Sequence, residues 1–142
     1  MRNALSALAL SLFSHIASAE LEISDAYARA TPPGQKVSAA FMQLHNASSQ
    51  GQTLVGGRSD WSRNIEVHLS SMQDGVMQMR KLEGLTLPPG ASQTLAPGGY
   101  HIMLMGLTKA LTVGESLSLE LLYENGEIQP VTLRVRAISG TH

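Results

Sequence analysis

The sequence predicts an all-β domain, a single sandwich or barrel in the Greek-key size class. Short apolar runs alternate with polar residues at a period of two, as residues on the two faces of a strand do. No stretch keeps the 3.6-residue apolar period of a helix, and Gly, Pro, Asn and Asp separate the runs. With 142 residues, 43% of them hydrophobic and 15% charged, the chain can build one domain around its own core.

The predicted strands cover most of the chain after residue 20. The clearest are 21–29, 37–45, 65–72, 76–82, 100–107, 117–123 and 131–137, with weaker strands near Leu54 and Leu95. Asn125-Gly126 joins the last two in a predicted hairpin with a type I′ turn, because both residues accept positive φ. Pro130 lacks a backbone N–H, so we expect it at the start or edge of its strand.

The first nineteen residues have the pattern of a cleaved signal peptide. Arg2 precedes an apolar stretch over 4–16, and Ala17-Ser18-Ala19 has the small-x-small form that signal peptidases cut. A membrane span needs roughly 20 apolar residues, whereas this stretch is shorter and interrupted by serines. We therefore predict a signal over 1–19 and a mature domain over 20–142 that lies in the periplasm without stable membrane insertion.

Charge and composition exclude several classes of function. The net charge is −1, and the basic residues are scattered, whereas nucleic-acid binding needs clustered Lys and Arg. The chain has no cysteine, which excludes disulfides and redox chemistry at sulfur. No motif places a histidine and a carboxylate to activate a serine, so an enzyme is not predicted.

Methionine and histidine stand out between residues 68 and 105. A single methionine most often fills irregular core space, and a non-metal structural sandwich with core methionines is the alternative to a metal site. His101 and Met103, however, are two residues apart on a predicted strand, so both side chains leave the same face. Together with His68, they indicate a site that binds one ion.

A second pair of candidate ligands depends on a hairpin turn at Asp74-Gly75, a strong two-residue turn signal. The resulting register makes His68 and Met79 diagonal neighbours on one face. Periodicity alone does not choose Met79 over Met77, and a one-residue bulge would reverse the faces. The predicted pairs are Gln73 with Val76, Met72 with Met77, Ser70 with Met79, and His68 with Lys81.

Two imidazoles and two thioethers form a soft, neutral donor set. Thioethers select Cu(I), whereas Zn(II) prefers thiolate, imidazole and carboxylate. A blue-copper electron carrier needs a cysteine ligand, which this chain lacks. The sequence therefore predicts one Cu(I) ion per chain, held as cargo without redox cycling.

The order His68, ten residues, Met79, twenty-one residues, His101, one residue, Met103 resembles the ligand motif of the PCu(A)C periplasmic copper chaperones. Residues 74–80 and 97–107 resemble that family's most recognisable segments, and a looser similarity extends from about Ile23 to Ala137. The resemblance selects Met79 over Met77. It implies a cupredoxin-like Greek-key β-sandwich with a surface Cu(I) site and delivery of copper toward the Cu(A) centre of cytochrome c oxidase.

Departures from the family pattern limit the prediction to one ion. Leu69 stands where some members have a methionine, and residues 138–142 lack the His- and Met-rich tail of others. The expected partners are an oxidase Cu(A) domain or a Sco-like thiol protein, and copper buffering or resistance in the periplasm is the alternative function. Outside the ligand set, we expect a buried Trp61, a surface His45, and core positions for Met42 and Met105, although Met72, Met77 or Met105 could line the site.

Overall fold

A computed structural model describes residues 21–137, which form ten β-strands and no helix. No helix in this part of the chain is long and apolar enough to cross a membrane. The predicted signal peptide and its cleavage site lie outside the described residues. The strands are β1 (Glu22–Arg29), β2 (Val37–His45), β3 (Gln52–Arg58), β4 (Ser62–Gln73), β5 (Val76–Lys81), β6 (Leu85–Leu87), β7 (Ser92–Leu95), β8 (Tyr100–Leu107), β9 (Ser116–Tyr123) and β10 (Ile128–Arg136).

The strands form one sheet that closes on itself. Their order is β5-β4-β8-β2-β1-β10-β9-β3-β6, and β7 pairs with β2. The pairing of Gly57 with Ile65 joins β3 to β4 and completes the closure. A Cβ on Gly57 would lie 2.9 Å from the Ile65 side chain and 3.0 Å from the Glu120 carbonyl oxygen, so the close approach requires glycine. The prediction of an all-β Greek-key sandwich is confirmed.

Alternation along each strand separates the core from an outer face. On β8, Ile102 and Leu104 are buried in the core, whereas His101 and Met103 leave the opposite face. Met42 is buried as predicted, at 2% exposure. The predicted core position of Met105 is wrong, because this residue falls on the outer face of β8 and is only half-buried.

Trp61 is confirmed as a buried anchor. Its side chain belongs to the core cluster, and its indole Nε1–H donates a hydrogen bond to the carbonyl oxygen of Ser118 at 2.8 Å. The buried ring thus keeps a partner for its polar atom, as buried tryptophans usually do. This contact ties the start of β4 to β9.

The β4–β5 hairpin has the predicted register in all four pairs. Its turn residues Asp74 and Gly75 have φ of 51° and 78°, the two positive values that a type I′ turn needs. Gln78 and Arg80 share a face with core residues of β4 in this register, yet both are exposed, as is every residue of β5. The hairpin projects beyond the core, so no bulge is needed to keep these polar side chains in water.

The β9–β10 hairpin is confirmed, but its predicted turn type is wrong. The pairing of Leu122 with Ile128 leaves a loop in which Gly126 N–H donates to the Tyr123 carbonyl at 2.9 Å. Gly126 has φ of 88°, whereas Asn125 is not among the described residues with positive φ. The loop is therefore a type I turn followed by a left-handed glycine, the common three-residue connection.

Pro130 lies inside β10, opposite Glu120 of β9; of its two predicted positions, the start of the strand is wrong and an unpaired strand edge is confirmed. The parallel pairing of β10 with β1 covers only Arg134 to Arg136. Around Pro130 the β1 side of the strand has no ladder, so no backbone N–H is required there. Strand β6 was not predicted, because its three residues are too few to show a period.

Candidate metal site

The predicted ligands come together on the outer face of three adjacent strands, β5, β4 and β8. His68 on β4 is directly opposite His101 on β8, and the centroids of their rings are 5.9 Å apart. Met103 lies two residues along β8 from His101, on the same face. Met79 is opposite Ser70 on the other side of β4, which makes it a diagonal neighbour of His68, as predicted. The fold thus brings all four side chains to one place.

His101 forms the buried base of the site, with 4% of its surface exposed. Its Nδ1 lies 3.1 Å from the carbonyl oxygen of Gly99; a carbonyl only accepts, so Nδ1 carries the proton and Nε2 keeps a free lone pair. Burial lowers the pKa of His101; the bond to Gly99 opposes this, and the nearby Arg29 and His68 lower the pKa further. The ring is therefore neutral at neutral pH.

His68 is held in a fixed tautomer by Glu66, two residues earlier on the same face of β4. Its Nε2 lies 2.8 Å from Oε2 of Glu66. The hydrogen bond from His68 lowers the pKa of Glu66, as does Lys81, whose Nζ lies 3.4 Å from Oε1, while burial opposes both. The carboxylate is ionised and accepts the Nε2 proton, which leaves the lone pair on Nδ1.

Nδ1 of His68 and Nε2 of His101 are the buried side-chain nitrogens that have no hydrogen-bond partner within residues 21–137. A buried polar atom without a hydrogen-bond partner lowers the stability of the fold by about 1–3 kcal/mol. Two such atoms on neighbouring rings therefore indicate a ligand that both nitrogens bind. Histidines that bind metals usually donate their other N–H to a carboxylate or carbonyl oxygen, as both do here. The arrangement fits a metal ion.

A cavity of about 260 Å³ opens beside the His101 ring, and its lining also includes Met79 and Met103. Met103 is half-buried, whereas 52% of Met79 is exposed. The candidate ligands therefore extend from the buried His101 to the exposed Met79, which an incoming molecule can reach first.

Aromatic and basic residues of β1 and β2 wall this cavity, and sequence reasoning missed them. Phe41 is buried at 2% exposure but lies outside the core cluster, with its ring centroid 6.3 Å from that of His101. The Arg29 guanidinium lies 5.0 Å from the Phe41 ring centroid, and the centroid of the Tyr27 ring lies 5.3 Å from that of Phe41. Arg136 packs over Tyr27 at 4.3 Å. The stack shields His101 from water.

The remaining histidine among residues 21–137 is separate from the site. Nδ1 of His45 lies 2.7 Å from the Ser92 hydroxyl in an exposed contact, at the end of β2 where it pairs with β7. The prediction of a surface histidine is confirmed. Sequence reasoning missed Glu66 and Gly99 as residues that orient the histidines. Each lies two residues before a candidate histidine, and this spacing could have identified them.

Comparison with known proteins identifies the family. The sequence matches the family described as "Putative lipoprotein LpqE-like" over residues 21–135. The chain belongs to the LpqE-like family. This LpqE-like chain is also 32% identical over 123 residues to the "Putative lipoprotein Lxx21020" of Leifsonia xyli subsp. xyli (strain CTCB07), covering 86% of the chain and 73% of that protein.

The LpqE-like chain is similar in structure to solved PCuAC domains, the family that its sequence resembles. It is 29% identical to CuI-DR1885 from Deinococcus radiodurans, with a TM-score of 0.68 and coverage of 87% of this chain and 83% of the other. It is 25% identical to the apo PmoF2 PCuAC domain, with a TM-score of 0.70 and coverage of 89% and 97%. The copper-bound PmoF2 domain, 24% identical with coverage of 86% and 97%, has the same fold at a TM-score of 0.71. The cupredoxin-like fold is confirmed.

Proposed function

We propose that this PCuAC-family domain binds one Cu(I) ion through His68, Met79, His101 and Met103 and carries it as cargo. The observation that supports this most is the pair of buried, unpartnered ring nitrogens on β4 and β8. The rings are close enough, at 5.9 Å between centroids, for one ion to lie between them. Two thioethers on the same face complete a four-donor set.

The chemistry of these donors favours Cu(I) over other ions. Thioethers are soft and uncharged, and imidazole suits copper as well as zinc. Glu66 contacts His68 and Lys81, so its carboxylate is already engaged in orienting a ligand. A neutral set does little to stabilise Cu(II), and the ion stays in one oxidation state as it is bound and released.

The relatives support a role in copper delivery outside the cytoplasm. Solved neighbours include a domain described as copper-bound and another described as CuI-loaded, and the matched relative is described as a lipoprotein. The proposed role is a periplasmic chaperone that passes Cu(I) toward the Cu(A) centre of cytochrome c oxidase, either directly or through a Sco-like thiol protein. Binding and release, with no enzymatic step, account for this role.

A Cu(I) competition titration against a chromophoric chelator tests the binding. One equivalent should be withdrawn from the chelator, and ¹⁵N NMR should show the signals of His68 Nδ1 and His101 Nε2 shifting as it binds. The His45→Gln variant is the matched control and should titrate like the wild type, because His45 bonds to Ser92 away from the site. Failure to withdraw copper, or a titration that shifts only His45, would refute the proposal and favour a non-metal sandwich.

A further inference from the structure

The tip of the β4–β5 hairpin exposes methionines that the four-ligand site does not use. Met72 is 62% exposed and Met77 is 56% exposed, next to Val76 at 59%. Met77 and Val76 belong to the edge strand β5, whose residues are all exposed, and Met72 lies near the end of β4, opposite Met77. Core packing therefore does not explain them, and clustered exposed apolar side chains usually mark a site of interaction.

The register places these methionines on the face that carries the candidate copper ligands. Met72 pairs directly with Met77, the second pair from the turn, so their Cβ atoms are about 4.5–5.5 Å apart. Met79 lies two residues along β5 and is the diagonal neighbour of Met72. Three thioethers thus share one patch of a hairpin that a type I′ turn holds in register.

Met72 and Met77 are too far from the two histidines to bind the same ion. Met72 is four residues from His68 on one strand, which is about 13 Å at 3.3 Å per residue. Met79 is different, because it is diagonal to Met72 on one side and to His68 on the other. Met79 therefore lies between the hairpin tip and the histidine pair, and its sulfur can bind an ion at either place.

We propose that Met72, Met77 and Met79 form a second, weaker Cu(I) site at the hairpin tip, through which copper enters and leaves the four-ligand site. This inference rests on the proposed function. Three neutral thioethers suit Cu(I), but the tip lacks imidazole and is open to water, so it binds less tightly. Copper moves inward as Met79 keeps its bond while His68 and His101 replace Met72 and Met77; the ion remains Cu(I) and no proton or electron is transferred.

A binding experiment tests the tip directly with Ag(I), a redox-inert monovalent ion with similar ligand preferences. The His101→Gln variant disables the four-ligand site, and His68→Gln serves as an independent second variant. In both, Ag(I) should shift the methyl NMR signals of Met72, Met77 and Met79, with saturation at higher Ag(I) concentration than the wild type needs. Adding Met72→Leu and Met77→Leu should abolish that binding, because leucine keeps the apolar volume but removes sulfur. Absence of saturable Ag(I) binding at the tip in both variants would overturn the proposal.

A kinetic experiment tests the route in the intact protein. The Met72→Leu, Met77→Leu double variant should load Cu(I) from a bulky chelator several-fold more slowly than the wild type, with the same final occupancy and affinity. Met105→Leu is the matched control, since it removes a methionine from the outer face of β8, away from the hairpin, and should load at the wild-type rate. Equal loading rates in the double variant and the wild type would overturn the entry route.

The two proposals fail in different ways. If the four-ligand binding is wrong, the wild type shows no shift of the His68 and His101 ring nitrogens on titration with Cu(I). If only the tip inference is wrong, those nitrogens shift normally, while Met72 and Met77 show no response and their replacement has no effect on rate.

Discussion

Glu66 accepts a hydrogen bond from Nε2 of His68 at 2.8 Å, and this bond decides which nitrogen of His68 is available to a metal. Replacing the carboxylate releases the ring to change tautomer and orientation. We expect Glu66→Ala to weaken Cu(I) binding about 10–100-fold, the usual effect of losing such a supporting contact. Glu66→Gln should weaken it less, because the amide oxygen can still accept the proton.

Competition titration measures both effects, and Glu115→Gln is the control. Glu115 pairs with Lys109 and caps the Thr112 turn, so its loss should leave Cu(I) affinity unchanged. An affinity in Glu66→Ala equal to that of the wild type would show that Glu66 does not orient the ligand.

Removing the thioethers of Met79 and Met103 should weaken Cu(I) binding far more than it lowers the free energy of unfolding. Met79→Leu and Met103→Leu keep the apolar volume, so each should change the free energy of unfolding by less than about 1.5 kcal/mol while strongly weakening Cu(I) binding. Met42→Ala should do the reverse, costing about 2–5 kcal/mol because Met42 is 2% exposed. Urea denaturation and Cu(I) titration of the same samples compare the two, and wild-type affinity in the Met79, Met103 double variant would exclude the site.

The metal-free protein should lose stability in mildly acidic solution because of His101. Burial lowers its pKa in the folded state from the ordinary value of 6.5, so the unfolded chain takes up a proton at a higher pH than the folded one. The contribution of His101 to the free energy of unfolding is therefore complete above about pH 6.5, and it declines as pH falls toward the folded-state pKa. Urea denaturation across this range should show a steeper fall for the wild type than for His101→Gln; parallel curves would contradict the assignment.

Transfer of copper should run from this domain to a thiol acceptor. Cysteine thiolates bind Cu(I) more tightly than thioethers do, so the loaded protein should metallate a dithiol protein, and the metal-free form should not recover the ion. The exposed Met79 allows a mixed intermediate, which makes transfer faster than passive release. Stopped-flow measurement against a Cu(A) domain or a Sco-like protein tests this, and transfer no faster than passive release would favour buffering.

The hairpin that carries Met79 was predictable because its information is local. Asp74-Gly75 fixes a two-residue turn, and the turn fixes every pair in β4 and β5. The same logic was wrong at Asn125, since the sequence signal for a two-residue turn also fits the three-residue loop that the chain adopts. Short β6 gave no signal, because three residues do not show a period.

The environment of the site was less predictable than the ligands. Glu66 was missed, although strand alternation places it on the same face as His68; whether it contacts the ring depends on side-chain rotamers, which the sequence does not give. Phe41 and Arg29 lie beside His101 only because β2 and β1 follow β8 in the sheet, and that order depends on contacts between residues far apart in sequence. The core assignment of Met105 was wrong for a different reason, since the alternation that places His101 and Met103 on one face of β8 also places Met105 there.

Strands β4 and β8 give alternate residues to the hydrophobic interior and to the proposed copper site. In evolutionary terms, this separates two kinds of selection within a single segment of chain. Substitutions at the proposed ligands, His68, Met79, His101 or Met103, can change or abolish metal binding while the interior stays intact. Members of the lineage can therefore diverge in ligand set and keep the fold. A change of length within β4 or β8 alters both faces at once, and we expect selection to remove it.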